Sequence, residues 1–155
     1  MSSELNYIFY CKTTEGYIIK ILSELLSNNI KNGCFIVNEE GILFRMTDSN
    51  RRILIDLELS CDNFSQYKFK SGNRQISIGL NLSHFYKMLK NIKKKDSLVL
   101  FIEENKEDDL GIRVIPKEKN RVTTSFVKIQ NLQSLDIDIP TDYEKPVNIL
   151  YIQDA

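Results

Sequence analysis

Residues 75–103, QISIGLNLSHFYKMLKNIKKKDSLVLFIE, decide the fold, because a strand pattern, a helix pattern and a second strand pattern follow one another without a gap. Residues 75–80 are strand-like. From Leu82 to Ile92 the residues Leu82, Phe85, Tyr86, Leu89 and Ile92 recur at helical spacing, with Ser83 near the start as a capping residue. Ser97 to Glu103 then returns to a β-prone run, and Leu110–Ile115 and Arg121–Gln130 add two more strands.

The same order occurs earlier in the chain. Residues 5–11 (LNYIFYC) read as a strand, and from Tyr17 to Asn28 the residues Ile18, Ile21, Leu22, Leu25 and Leu26 fall on one helix face behind Thr13 and Thr14 as caps. Strands follow at Cys34–Asn38, at Ile42–Thr47 after a Glu40-Gly41 turn, and at Arg52–Ser60, where Ile53, Ile55, Leu57 and Leu59 alternate with Asp56 and Glu58. A further short run, 66–70, is also strand-like. An offset of 67 lays Tyr86-Lys87-Met88-Leu89 over Ile19-Lys20-Ile21-Leu22. Two β-α-β-β-β units in one domain predict an α+β architecture, with both helices in one layer on a mainly antiparallel sheet.

Composition narrows the function. The chain has 155 residues, enough for a real core, and 21 Lys plus Arg balance 21 Asp plus Glu. Zero net charge argues against a uniformly basic nucleic-acid binder, so the distribution of charge matters more than its sum. No apolar run approaches the roughly 20 residues of a membrane helix, and Met1-Ser2-Ser3-Glu4 lacks the order of a signal peptide, so no membrane partner is expected. Cys11, Cys34 and Cys61 are odd in number and widely spaced, which suits buried thiols better than disulfides or a CxxC metal site.

Catalytic patterns are lacking. His84, the one histidine, sits on the polar side of its helix with no nucleophile or second imidazole beside it in sequence. The six glycines form no phosphate-cradling motif. The acidic run Glu103, Glu104, Glu107, Asp108, Asp109 is interrupted by Lys106 and lacks the order of a calcium loop, so it reads as a solvated hairpin tip. No catalytic residue, metal ligand or cofactor is expected. The aromatic residues Tyr7, Phe9, Phe35, Phe44, Phe69, Phe85 and Phe101 lie in core patterns and form no stacking platform.

One constellation remains. Residues 81–95 hold five lysines and no acid, and on a helical wheel Lys87, Lys90 and Lys94 fall within about 60° of one another, opposite the apolar stripe. Lys20 occupies the position equivalent to Lys87. Two readings fit: a solvated face with lysines favoured at a helix C-terminus, or a surface that meets phosphate. Lysine neutralises phosphate without the bidentate lock of arginine, so such a surface would attract a nucleic-acid backbone without reading bases. Residues 131–146 (NLQSLDIDIPTDYEKP) read as an extended connector, and Val147–Ile152 as one more strand.

This pattern resembles the amino-terminal half of a eukaryotic-type DNA sliding clamp of the proliferating cell nuclear antigen family. The segment from Gly41 to Ser49 resembles that family's G-x-x-L-x-x-M-D-S-S, Phe64 to Tyr67 its F-x-x-Y, Ile78 to Leu82 its MGVNL, and Lys87 to Lys90 its K-I-L-K. Leu132, Leu135, Ile137, Ile139 and Pro140 resemble its interdomain connector, and the likeness covers residues 5–146. It implies a clamp N-terminal domain at 1–131, a connector at 132–146 and the start of a second domain at 147–155, as in a truncated clamp subunit or a half-clamp completed by other chains.

The implied function is a non-enzymatic ring around duplex DNA, acting in replication and repair. Its partners would be double-stranded DNA, DNA polymerase and other clamp-binding-motif proteins, a clamp loader, and ring-forming copies of itself or of a related subunit. Lys20, Lys87 and Lys90 match DNA-facing lysines, and Lys94 joins them from its wheel position. The matching partner-peptide groove comprises Thr47, Arg51, Arg52 and Leu54 with Leu132, Ile137, Ile139 and Pro140. Thr47 stands where the family has methionine, Arg51 histidine and Arg52 valine, so partners with acidic flanks or an altered motif are expected. Ring closure would use the strand Arg121–Gln130. The resemblance implies a nuclear protein or, if viral, one of a cytoplasmic viral factory. A checkpoint-type clamp subunit, a viral processivity factor and a protein-binding adaptor without DNA contact are alternative readings.

Overall fold

The computed structural model describes residues 6–48, 50–70, 74–118 and 121–130. The chain runs β1 (Tyr7–Thr13), α1 (Gly16–Asn29), β2 (Asn32–Asn38), β3 (Gly41–Thr47), β4 (Leu54–Ser60), a 3₁₀ turn at Cys61–Asn63, β5 (Gln66–Phe69), β6 (Ile76–Asn81), α2 (Leu82–Leu89), β7 (Ser97–Glu103), β8 (Asp109–Ile115) and β9 (Thr123–Lys128). The α+β class and both repeats are present. The strands form two antiparallel sheets, ordered β5-β1-β7-β8-β9 and β4-β3-β2-β6.

The repeats interlock. The first strand of each pairs with the second strand of the other: β1 with β7, placing Cys11 opposite Leu100, and β6 with β2, placing Gly79 opposite Cys34. Neither unit therefore completes a sheet by itself, and the extra strand β5 caps the outer side of β1. Among the described residues, the sheets are joined by hydrogen bonds from the Gln130 N–H to the Gly79 carbonyl (2.8 Å) and from the Tyr67 hydroxyl to the Asn38 carbonyl (2.6 Å). Burial pushes the Tyr67 hydroxyl pKa up, which keeps it a donor. Gly41, at the expected turn, has φ 150°, and a Cβ there would collide with the Leu59 carbonyl oxygen.

One apolar core joins both sheets to the helices. Phe9, Leu98, Leu100 and Ile112 reach it from one sheet, Val37, Leu59, Ile78 and Leu80 from the other, and Phe85 and Leu89 from α2. A second cluster, Leu26, Ile30, Phe44, Met46 and Leu82, seals the end where α1 stops and α2 starts. There the Leu82 N–H donates to the Lys31 carbonyl at 3.0 Å, so the start of α2 is tied to the segment that follows α1. Cys11 is fully buried, with its thiol pKa pushed up by desolvation, whereas Cys34 and Cys61 are only half-buried, contrary to the expectation of three buried thiols.

Local details also differ from the sequence expectation. The buried side of α1 is Leu22, Ser23 and Leu26, with Ile19 against the core, while Ile21 and Leu25 are 47% and 44% exposed. A serine stands amid the buried stripe, its hydroxyl donating to the Lys20 carbonyl at 2.7 Å, and this polar residue hides the true face from a reading by hydrophobicity. α1 has no side-chain cap of its own, although the Thr13 Oγ1 accepts from the Glu15 N–H. On α2 the cap is Asn81 rather than Ser83; its Oδ1 accepts from the His84 N–H at 3.1 Å. α2 ends at Leu89, short of the expected Ile92, which is buried beyond the helix. The expected connector 132–146 and the strand Val147–Ile152 lie outside the described residues.

Candidate functional site

The cations expected on one face of α1 and α2 reach their places by two routes. Lys20 is half-buried on the first half of α1, and Lys87 is exposed in the last turn of α2, where a positive charge suits the helix dipole. Lys90 is exposed directly after the helix. Lys94 is not on the helix at all, because α2 stops five residues before it, so its wheel position does not apply. It nevertheless meets the same surface. The Lys94 Nζ lies 6.0 Å from the centre of the Tyr17 ring and the Lys20 Nζ 4.9 Å from it, so one aromatic ring brings the loop after α2 to the first turns of α1.

The loop that carries Lys94 is tightly built. Ile92 N–H donates to the Leu89 carbonyl, Asp96 N–H donates to the Lys93 carbonyl, and the Asp96 carboxylate accepts from the Lys93 N–H, each at 3.0 Å. Asp96 is buried and turned into the loop, while Lys93, Lys94 and Lys95 are exposed. Between the helices, the Tyr86 hydroxyl pKa is pushed up by desolvation, by the Glu24 charge and by a hydrogen bond with that carboxylate. Tyr17 and Glu24 belong to this surface although the sequence motifs do not single them out. Tyr17 lies one turn before Lys20, a spacing that puts both on one side of a helix, and this is the signal the sequence offers.

The groove residues gather only in part. Thr47 ends β3 and Leu54 begins β4, paired directly across the hairpin. The loop between them folds around Asp48, whose carboxylate accepts from the Arg52 N–H at 2.8 Å and the Ile53 N–H at 3.1 Å. Asp48 N–H donates to the Ile53 carbonyl, and Arg51 N–H donates to the Asp48 carbonyl. Arg51 adopts φ 56°, a left-handed conformation uncommon for a non-glycine residue. The strand therefore starts at Leu54 rather than Arg52, and Arg51, Arg52 and Ile53 are exposed at the hairpin end. Leu132, Ile137, Ile139 and Pro140, the other half of the expected groove, lie outside the described residues.

The expected closure strand is β9, shorter than Arg121–Gln130 and at the edge of its sheet, with Phe126 exposed on it and Val122 exposed directly before it. Of the acidic run, Glu104, Glu107 and Asp108 are exposed in the turn between β7 and β8, while Glu103 ends β7 and Asp109 begins β8, both half-buried; among the described residues no acidic, histidine and cysteine cluster could hold a metal ion.

Comparison with known proteins places the chain in a family. The family model described as proliferating cell nuclear antigen, N-terminal domain, matches residues 8–140. The chain is 35% identical over 114 residues to a DNA polymerase sliding clamp of Thermococcus fumicolans, covering 74% of this chain and 43% of that protein. It is 32% identical over 120 residues to a DNA polymerase sliding clamp of Pyrococcus furiosus, covering 77% and 45%. The chain thus spans less than half the length of these relatives.

Proposed function

We propose, since the chain belongs to the proliferating cell nuclear antigen family, that this domain is part of a DNA sliding clamp that holds a polymerase on duplex DNA. The observation that carries the reading is the gathering of Lys20, Lys87, Lys90 and Lys94 on and beside two neighbouring helices, on a sequence related to DNA polymerase sliding clamps. Ammonium groups on flexible stems attract phosphate without fixing register, so DNA can move past them. Retention then comes from the closed ring rather than from affinity. The domain's part is non-catalytic: to present a charged inner surface, a docking groove and edges for assembly.

The hairpin end at Thr47, Arg51, Arg52 and Leu54 would take the clamp-binding segment of a polymerase or another partner, and its two exposed arginines favour a segment with acidic flanks. β9, with Val122 and Phe126 exposed, would pair with an edge strand of another clamp domain. A clamp loader would be needed to open such a ring. The test is the triple variant Lys20→Glu, Lys87→Glu, Lys90→Glu in a polymerase stimulation assay. The variant should keep its circular dichroism spectrum and lose stimulation; wild-type stimulation by the folded variant would refute the DNA-facing role.

A further inference from the structure

Lys94 leads off the helix pair into an open cleft of about 650 Å³ between the loop after α2 and the turn joining β8 to β9. Lys93, Lys94, Lys95, Lys117 and Arg121 line it, against the two acids Asp96 and Glu118. The charge is less balanced than five against two. Asp96 is buried with its carboxylate on the Lys93 N–H, and among the described residues none of the five cations lies within ion-pair distance of a carboxylate. The fold gains little from setting three consecutive lysines opposite a fourth and an arginine, since unscreened like charges repel. A site that neutralises them is the simplest physical reason for the arrangement.

Resting on the clamp reading above, we propose that this cleft holds the phosphate backbone of duplex DNA, extending the contact surface from the helices onto the 93–95 loop and the β8–β9 turn. Continuity favours DNA. The Tyr17 ring has the Lys20 and Lys94 ammonium groups within 4.9 and 6.0 Å of its centre, so Lys20 on α1 and the cleft that Lys94 lines share one positive surface. The lining argues against a peptide, because a docked peptide relies on buried apolar anchors and, among the described residues, Pro116 is the one apolar member of the wall. A sugar-phosphate backbone needs only charge, and the lysine-dominated wall supplies it without reading sequence.

The test compares two variants of the 155-residue chain, Lys93→Ala/Lys95→Ala/Lys117→Ala for the cleft and Lys20→Ala/Lys87→Ala for the helices. Binding to a fluorescent duplex of about 30 base pairs is followed by anisotropy across a salt series, with thermal melts to confirm folding. Removing one phosphate-neutralising cation lowers the slope of log affinity against log salt by about 0.9. The cleft variant should lose roughly two to three in slope and bind roughly 10- to 100-fold more weakly at low salt. An unchanged slope for the cleft variant, beside a reduced one for the helix variant, would overturn the cleft and leave the clamp reading standing. Salt-insensitive binding, or none, by the wild-type chain would overturn the cleft, while the clamp reading, in which retention comes from ring closure, stands or falls on polymerase stimulation. A Glu-rich peptide that binds the wild type but not the cleft variant, with duplex binding unaltered, would assign the cleft to an acidic protein segment instead.

Discussion

In the first repeat the helix runs for 14 residues, carries one lysine and exposes Ile21 and Leu25; in the second it runs for 8, carries Lys87 in its last turn and continues into Lys90 and the 93–95 loop. Both helices join the first strand of a β-α-β-β-β unit to its second, yet one helix is long and partly apolar outside while the other is short, capped and cationic. The difference shows how a duplicated scaffold divides its work. Stopping α2 early frees residues 90–96 before β7, and the chain uses them to carry positive charge back to Tyr17 on α1. A longer α2 would have kept those lysines on a wheel and away from the cleft.

The buried contacts of the helices should give the largest effects. Leu89, with no exposed surface, and Leu26, at 3%, should each cost about 3 kcal/mol when changed to alanine, measured by urea unfolding. Leu25→Ala, one position along from Leu26, should stay within about 0.5 kcal/mol, and a loss equal to that of Leu26 would mean that α1 is turned to the face its apolar spacing suggests. The capping difference is next. Asn81→Ala should cost about 1 kcal/mol because the His84 N–H loses its acceptor, whereas Glu15→Ala, at the uncapped start of α1, should cost a few tenths at most. The smallest effect concerns Tyr17: Tyr17→Leu keeps an apolar side chain but removes the ring beside two ammonium groups, and should weaken duplex binding about two- to fivefold in the same anisotropy assay, as expected when an exposed cation–π interaction is removed.

Much of the fold was legible because its signals are local. The alternation of Ile55, Leu57 and Leu59 with Asp56 and Glu58, the Glu40-Gly41 turn and the helical spacing of Leu82, Phe85 and Leu89 each depend on neighbours a few residues away. The pairing of β1 with β7 and of β6 with β2 was not legible, since partners as far apart in the chain as Cys11 and Leu100, or Phe35 and Ile78, leave no local pattern. Ser23 concealed the buried face of α1, and Asp96 closed a loop where the lysine spacing suggested more helix. At the candidate site the lysines were visible as residues, but their meeting point was not. Tyr17 joins Lys20 to Lys94 only because the fold returns the chain after α2 to the start of α1. The Arg51 conformation depends on Asp48 gathering the backbone around it, which residue type alone does not reveal.

The most direct test of a DNA-facing helix layer is the pattern of amide chemical-shift changes when a short duplex is titrated into isotope-labelled protein. The largest changes should fall on α1, on α2 and on residues 90–96, fade with added salt, and spare the hairpin end at Thr47 and Leu54. Changes confined to that hairpin end or to the outer strands, with α1 and α2 silent, would contradict it.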